Sequence, residues 1–285
     1  MSPAIRPPRY AGRFYPSDTA ACRREAEALL AGAASQVARG AVTPHAGWIY
    51  SGSAAAKAIA AIADGKPETV IIFGAVHSAV SHDAAVYPTG AWETPLGTVA
   101  VDEQLATLLA KVRGVATDAR AHSYEHSIEV ELPLLICAAP GVRIVPLMVN
   151  FGPAAARVGR EVADAAERSG RRVAFLASTD LTHYGPAFGF EPAGRGPRGF
   201  RWAKDVNDRR FIHRIAAVDA DGIVPEAERH HNACGAGAVA ALLGAMQALG
   251  ATTYTELEHT TSAEVKGAAE SDALNSVGYE AGIFV

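Results

Sequence analysis

The sequence predicts an α/β fold: a three-layer α/β/α single domain built on a central mixed sheet. Short runs apolar on both faces, Thr69–Phe73, Arg143–Asn150 and Arg172–Ala177, alternate with longer helical patterns. Strands without a polar face need cover on both sides, and helices placed between them supply it. No internal repeat and no linker-like stretch divides the 285 residues, so 1–285 is read as one domain.

The elements follow in order. Pro7–Pro16 is a basic, aromatic arm. Ser17 is read as the N-cap of a helix over Asp18–Leu30. Ala38–Val42 reads as a short strand leading to His45, and alanine-rich Ser51–Ala63 as a helix. Thr69–Phe73 is a buried strand ending at Gly74-Ala-Val-His77. Trp92–Val99 reads as a hairpin or loop, and Asp102–Val112 as a helix. Tyr124–Ala139 is read as helical, with Pro133 fitting only a first turn or a kink. Strand Arg143–Asn150, amphipathic helix Pro153–Ser169 and strand Arg172–Ala177 come next. Phe188–Gly199, rich in Gly, Pro and Arg, reads as a mobile loop before a helix over Lys204–Val218. A small-residue helix runs from Gly235 to Leu249, and Thr252–Glu258 and Ser276–Val285 read as closing strands.

Composition narrows the function. The net charge of −4 and 7% aromatic content argue against a nucleic-acid partner. Three unpaired-looking cysteines fit a reducing compartment. There is no apolar h-region near the start and no run of about 18 apolar residues. The expectation is a cytoplasmic protein with no membrane partner.

Ligands of α/β sheets bind beyond the carboxyl ends of the strands. His45, His77, Asp180 and His183 all follow such ends, so the fold predicts that they converge. Imidazole is a common ligand of mid-row transition metals, although either His45 or His77 alone reads equally as a loop histidine bonded to backbone. Cys234 opens a helix, where the dipole favours the thiolate that binds metal. Cys22 and Cys137 read as buried hydrophobes. Asp180 and His183 are candidates for an orienting carboxylate and a general acid/base, with a capping Asp and an exposed His as the alternative. His126 and Glu129 have the spacing of a helix-borne metal motif, and His230 and His231 are placed at the cleft entrance. His82, His122, His213 and His259 read as surface or packing residues. Gly235–Ala240 matches a dinucleotide fingerprint but does not follow a strand, Gly194–Gly199 lacks a phosphate-loop ending, and Ser178 lacks a nucleophile elbow.

AGRFYP, PHAGWIYSG, GAVH, TPLGTVAVD, EHSIEVELPLL, STDLTHYG and the Cys-Gly pair at Cys234, in this order, resemble the Memo family, whose prokaryotic members are called AmmeMemoRadiSam system protein B. The resemblance spans about Tyr10 to Val285. It implies a fold similar to the class III extradiol dioxygenases and a metal pocket of His45, His77 and Cys234. It puts Asp180 and His183 on the remaining polar positions, with His183 at the acid/base position of the related dioxygenases. His126 supports the site, Phe14 takes an aromatic pocket position, and Tyr184 follows His183 beside it. Those dioxygenases use a carboxylate where this chain has a thiolate, which shifts preference towards redox iron or copper. Ala75-Val76 and Ala236 depart from the family's usual Pro and Arg. The segment Tyr184–Phe188 has no arginine to capture a phosphopeptide.

The expected function is a metal-dependent oxidoreductase of the non-haem iron dioxygenase-like type. Its site would hold one iron(II) ion, or copper, and act on a small phenolic substrate with dioxygen. The alternative is a non-catalytic metal-binding or metal-handling protein. Zinc-assisted hydrolysis is a weaker third, since no motif places a separate glutamate base. A homo-oligomer is compatible with the sequence.

Overall fold

The computed structural model describes residues 5–77, 81–267 and 274–285. In chain order the elements are β1 Ile5–Arg6, α1 Thr19–Ala31, β2 Gly40–Thr43, α2 Trp48–Asp64, β3 Thr69–Gly74, β4 Ala84–Val86, β5 Ala91–Thr94, β6 Gly97–Ala100, α3 Glu103–Leu109 and β7 Val115–Thr117. They continue with α4 Leu132–Ala138, β8 Arg143–Val149, α5 Ala155–Arg168, β9 Val173–Ser178, β10 His183–Tyr184, α6 Pro197–Trp202, α7 Arg209–Ala216, α8 Ile223–His230, α9 Ala236–Leu249, β11 Tyr254–Thr261, α10 Ser262–Val265 and β12 Ser276–Phe284.

The main sheet runs β10-β12-β2-β9-β3-β8-β4-β7, with β11 also paired to β12. It is mixed. β2, β9, β3 and β8 are parallel neighbours, β12 runs antiparallel to β2, and β4 runs antiparallel to β8 but parallel to β7. Every residue of β2, β3 and β9 is buried. This is why their sequences show no polar face. Helices α2 and α9 both pack against β2 and β9, and α1 and α4 back α2 while α5 backs α9. The expected α/β protein with a mixed sheet and flanking helices is therefore present.

Glycine fixes how closely the helices sit. A Cβ on Gly159 of α5 would lie 1.8 Å from the Ala241 carbonyl oxygen of α9, and one on Gly244 would lie 2.2 Å from that of Ala156. The two helices thus pack backbone to backbone, which only glycine permits.

The local expectations were corrected in several places. Asp18, not Ser17, caps α1: its Oδ1 accepts from the Ala21 amide at 2.8 Å. Helix α2 starts at Trp48, directly after Gly47, rather than at Ser51. Tyr124–Ala139 is not one helix. Residues 124–128 form turns, Glu129–Glu131 is a 3₁₀ turn, and α4 begins only at Leu132, with Pro133 in its first turn. Lys204–Val218 is split by one turn of π-helix at Ala203–Asp208 and stops at Ala216. Helix α8 and the short strands β4 and β7 have no counterpart in the sequence reading. The segment Phe188–Gly199 is held by Tyr184, whose hydroxyl donates to Gly194 O at 2.8 Å and accepts from the Ala193 amide at 3.1 Å.

The N-terminal arm is pinned by a buried carboxylate. Glu129 Oε2 pairs with Arg6 at 2.6 Å, and its Oε1 accepts from the amides of Arg9 and Tyr10 and from the Tyr15 hydroxyl. Arg6 also donates to His122 O and Glu125 O, and its guanidinium lies 4.1 Å from the Trp92 ring centroid. His122 itself is fully buried beside Trp92 and Tyr87 and bonded to Ala85 O. Burial pushes its pKa down to about 3.

Two predictions follow from this packing. Gly159→Ala should lower the unfolding free energy by roughly 1–3 kcal/mol, read by urea titration, because the α5–α9 contact has no room for a methyl group. The unfolded chain binds protons at His122 below about pH 6.5, whereas the native state does so only near pH 3. Stability from this group is therefore present above pH 6.5 and lost as pH falls towards 3. The urea midpoint should drop steadily over that window, and a flat profile would contradict the burial of neutral His122.

Candidate metal site

Three parallel neighbours end on one edge of the sheet: β2 at Thr43, β9 at Ser178 and β3 at Gly74. The chain leaves β2 through Pro44 into His45, leaves β3 through Ala75-Val76 into His77, and leaves β9 through Thr179 into Asp180. His45, His77 and His126 each offer one ring nitrogen within a span of 4.8 Å, a group that could hold a metal ion. Cys234 joins them from the other side. Its Sγ lies 3.3 Å from His45 Nε2, and it is hydrogen-bonded to His77.

Each imidazole is oriented by a group behind it. Ser178 Oγ donates its one proton to Ser127 O at 2.7 Å, so it must accept from His45 Nδ1 at 2.8 Å. His45 is thereby fixed as the Nδ1–H tautomer, with the Nε2 lone pair facing the pocket. Glu125 does the same for His77. Its Oε1 takes the Nδ1 proton at 2.9 Å, and its Oε2 takes the His77 amide at 2.9 Å. The same carboxylate accepts the amides of His126 and Ser127 and lies 3.4 Å from His126 Nδ1. Burial raises the Glu125 pKa, but the His77 ring and the amides outweigh it and hold the pKa down at about 2. Glu125 is an ionised carboxylate behind two imidazoles, the arrangement that orients metal-binding histidines.

Asp180 faces backbone. Its Oδ1 accepts from the His45 amide at 2.8 Å, which holds the corner after β2. Its own amide donates to Cys234 Sγ at 3.3 Å, and its carbonyl accepts from the Cys234 amide at 3.2 Å. Gly235 makes this approach feasible, since a Cβ there would meet Ser178 O at 2.3 Å. His183 donates from Nδ1 to Leu181 O at 3.0 Å, which leaves Nε2 as a proton acceptor.

The electrostatics suit a cation. Burial, then the charges of its histidine neighbours, hold His45 well below the usual imidazole range. Burial and His77 lower His126 to about 4. Burial raises the Cys234 thiol and alone would lower His77. Hydrogen bonds from the His77 ring to Cys234 and Glu125 reverse that and lift His77 to about 10. An ion held here would displace protons from its donor atoms, so its binding is linked to pH. The donor set, imidazole nitrogen and thiol sulfur, fits a mid-row transition metal.

The family model for Memo-like proteins matches residues 6–283. The chain belongs to the Memo-like family. A MEMO1 family protein of Pyrococcus abyssi is 39% identical over 289 residues, covering 96% of this chain and 97% of that one. One from Methanothermobacter thermautotrophicus is 37% identical over 290 residues, covering 96% and 98%. One from Thermococcus onnurineus is 36% identical over 293 residues, covering 98% and 99%. An uncharacterized protein of Escherichia coli K12 aligns at 16% identity and a TM-score of 0.43, over 75% of this chain and 86% of that one. That likeness is too remote to bear on fold or function.

In this Memo-like chain the expected residues fall into two places. His45, His77, His126 and Cys234 come together, with Asp180 bracing them and Phe14 packed 4.8 Å from the His126 ring. Tyr184 is buried in a separate cluster with Phe200 and Ala203 and is committed to the loop at Gly194. Glu129 points to the N-terminal arm, not to His126, so the metal-motif reading of their spacing is corrected. His231 packs on Phe190, and His230 is bonded to Arg210. Sequence reasoning missed Glu125 and Ser178. The first is the opening residue of the EHSIE motif, a signal that was available. The second opens the STDLTHYG motif at the end of a strand, so it too carried a signal.

Among the described residues no helix is long and apolar enough to cross a membrane. Replacing Glu125 with Gln should weaken binding of a divalent transition-metal ion by about 10- to 100-fold, measured by competition with a chromophoric chelator. Unchanged affinity in a folded variant would remove Glu125 from the site.

Proposed function

We propose that this Memo-like protein is a metal-dependent oxidoreductase of the non-haem iron dioxygenase-like type, acting on a small phenolic substrate. His45, His77 and Cys234 would hold one iron(II) ion. The observation that carries the reading is the meeting of the His45 Nε2 lone pair with Cys234 Sγ at 3.3 Å, beside a His77 ring braced by Glu125. The bound ion would supply Lewis acidity and a redox couple.

The chain's own groups do the rest. Ser178 and Glu125 hold the two imidazoles in the ligating tautomer. Asp180 keeps the His45 corner and the Cys234 sulfur in register through backbone bonds, which makes it a positioning residue. His183, with Nδ1 committed to Leu181 O, offers Nε2 to a phenolic proton. Phe14 and Tyr10 pack their rings on His126.

One observation favours a second reading, a metal-binding protein without turnover. His126 lies with His45 and His77 in the group that could hold an ion, and as a fourth donor beside Cys234 it would compete with substrate for the metal.

Metal analysis and oxygen uptake decide between them. Protein purified without oxygen and loaded with iron should bind one equivalent and consume oxygen when catechols are added. Cys234→Ser and His45→Ala should each lose the metal. His183→Gln should keep it and turn over about 10²- to 10⁴-fold more slowly. Full occupancy with no uptake for any phenol tested would select the second reading, and full occupancy in the Cys234→Ser, His45→Ala double variant would remove the site.

A further inference from the structure

A second hollow shares a wall with His183. It measures about 450 Å³ and lies between the first turn of α2, helix α10 and the start of β12. Three aromatic side chains, Tyr50, Phe188 and Tyr279, line it together with one cation, Lys266. The Lys266 ammonium stands 4.6 Å from the centroid of the Tyr50 ring. No Asp or Glu is among the described residues of the lining.

The hollow adjoins the side of the site where protons are handled. Phe188 meets the His183 ring edge to face at 5.1 Å. Val277, also in the lining, is the cross-strand partner of His183. Burial, and after it the Asp180 carboxylate, raises the Tyr279 phenol, so this ring lies within the field of the residue that braces His45. Tyr50 stands on the helix that begins three residues after His45.

This lining discriminates by chemistry. Aromatic rings select a flat apolar body. A lone ammonium is a point charge, matched to a monoanion rather than to a phosphate held in a bidentate fork. The Ser262 hydroxyl is already taken, since it accepts the Val277 amide at 3.0 Å and bonds Tyr279.

We propose that this hollow is the subsite for the substrate's tail and takes an aryl carboxylate, its ring among Tyr50, Phe188 and Tyr279 and its carboxylate on Lys266. The assignment rests on the metal cluster being the reactive end of the same substrate. Its test does not depend on turnover.

Phenylacetate and its uncharged isostere phenylacetamide are titrated into the metal-free full chain by calorimetry, with Lys266→Gln in parallel. Lys266 is exposed, so the substitution leaves the fold intact. Phenylacetate should bind wild-type protein at least about tenfold more tightly than the amide, and Lys266→Gln should abolish that preference. Equal affinity for acid and amide in the wild type, or a preference that survives in Lys266→Gln, overturns the assignment. Neither probe carries a phenol to react. Absent oxygen uptake with catechols would therefore sink the oxidoreductase reading and leave this result standing, and the converse also holds.

Discussion

The site depends on the carboxylate of Glu125. It is almost wholly buried, and burial alone would favour its neutral form. It stays ionised because it accepts the ring and amide of His77 and the amides of His126 and Ser127. This one side chain joins the loop after β3 to the turn before α4. The Ser127 hydroxyl, which donates to Ala75 O at 3.1 Å, ties the same two loops, but without Glu125 the His77 ring loses the partner that sets its tautomer. Within this stretch the amides of His126 and Ser127 are taken by Glu125 rather than by carbonyls four residues back.

A similar division of labour holds on the other flank. Ser178 and Asp180 close out β9, and each is spent on His45, one on the ring and one on the amide. The parallel pairing of β2 and β9 brings Thr43 opposite Ser178, which puts His45 within reach of both. The metal-facing atoms thus owe their positions to sheet register and to buried hydrogen bonds, with side-chain freedom removed at each step.

Much of this was legible in the residues. The doubly apolar strands gave the sheet, and a histidine directly after a strand gave His45 and His77. Cys234 was visible as a thiol at a helix start, whereas Gly235, which lets it approach β9, showed as part of a false dinucleotide fingerprint. What escaped was non-local. Glu129 looked like a partner of His126 because they stand three apart, but Arg6, Tyr10 and Tyr15, more than a hundred residues away, claim it. The apolar spacing of Ile128, Val130, Leu132 and Leu135 mimicked a helix, and local patterning cannot register a carboxylate that captures the preceding amides. β4 and β7, three residues each, are too short to show a period.

The Cys234–His45 contact joins positions 189 residues apart, and the Arg6–Glu129 clamp spans 123. The clamp needs only the first 129 residues, but the Cys234–His45 contact must wait until most of the chain has been made. Contacts of such long range slow folding, because loop closure must precede the reward. The four donors stand at 45, 77, 126 and 234, and the imidazoles and thiol that would gather the ion are scattered in the nascent chain. Any ion that needs all four donors could therefore be held only after the chain has been made through residue 234 and folded.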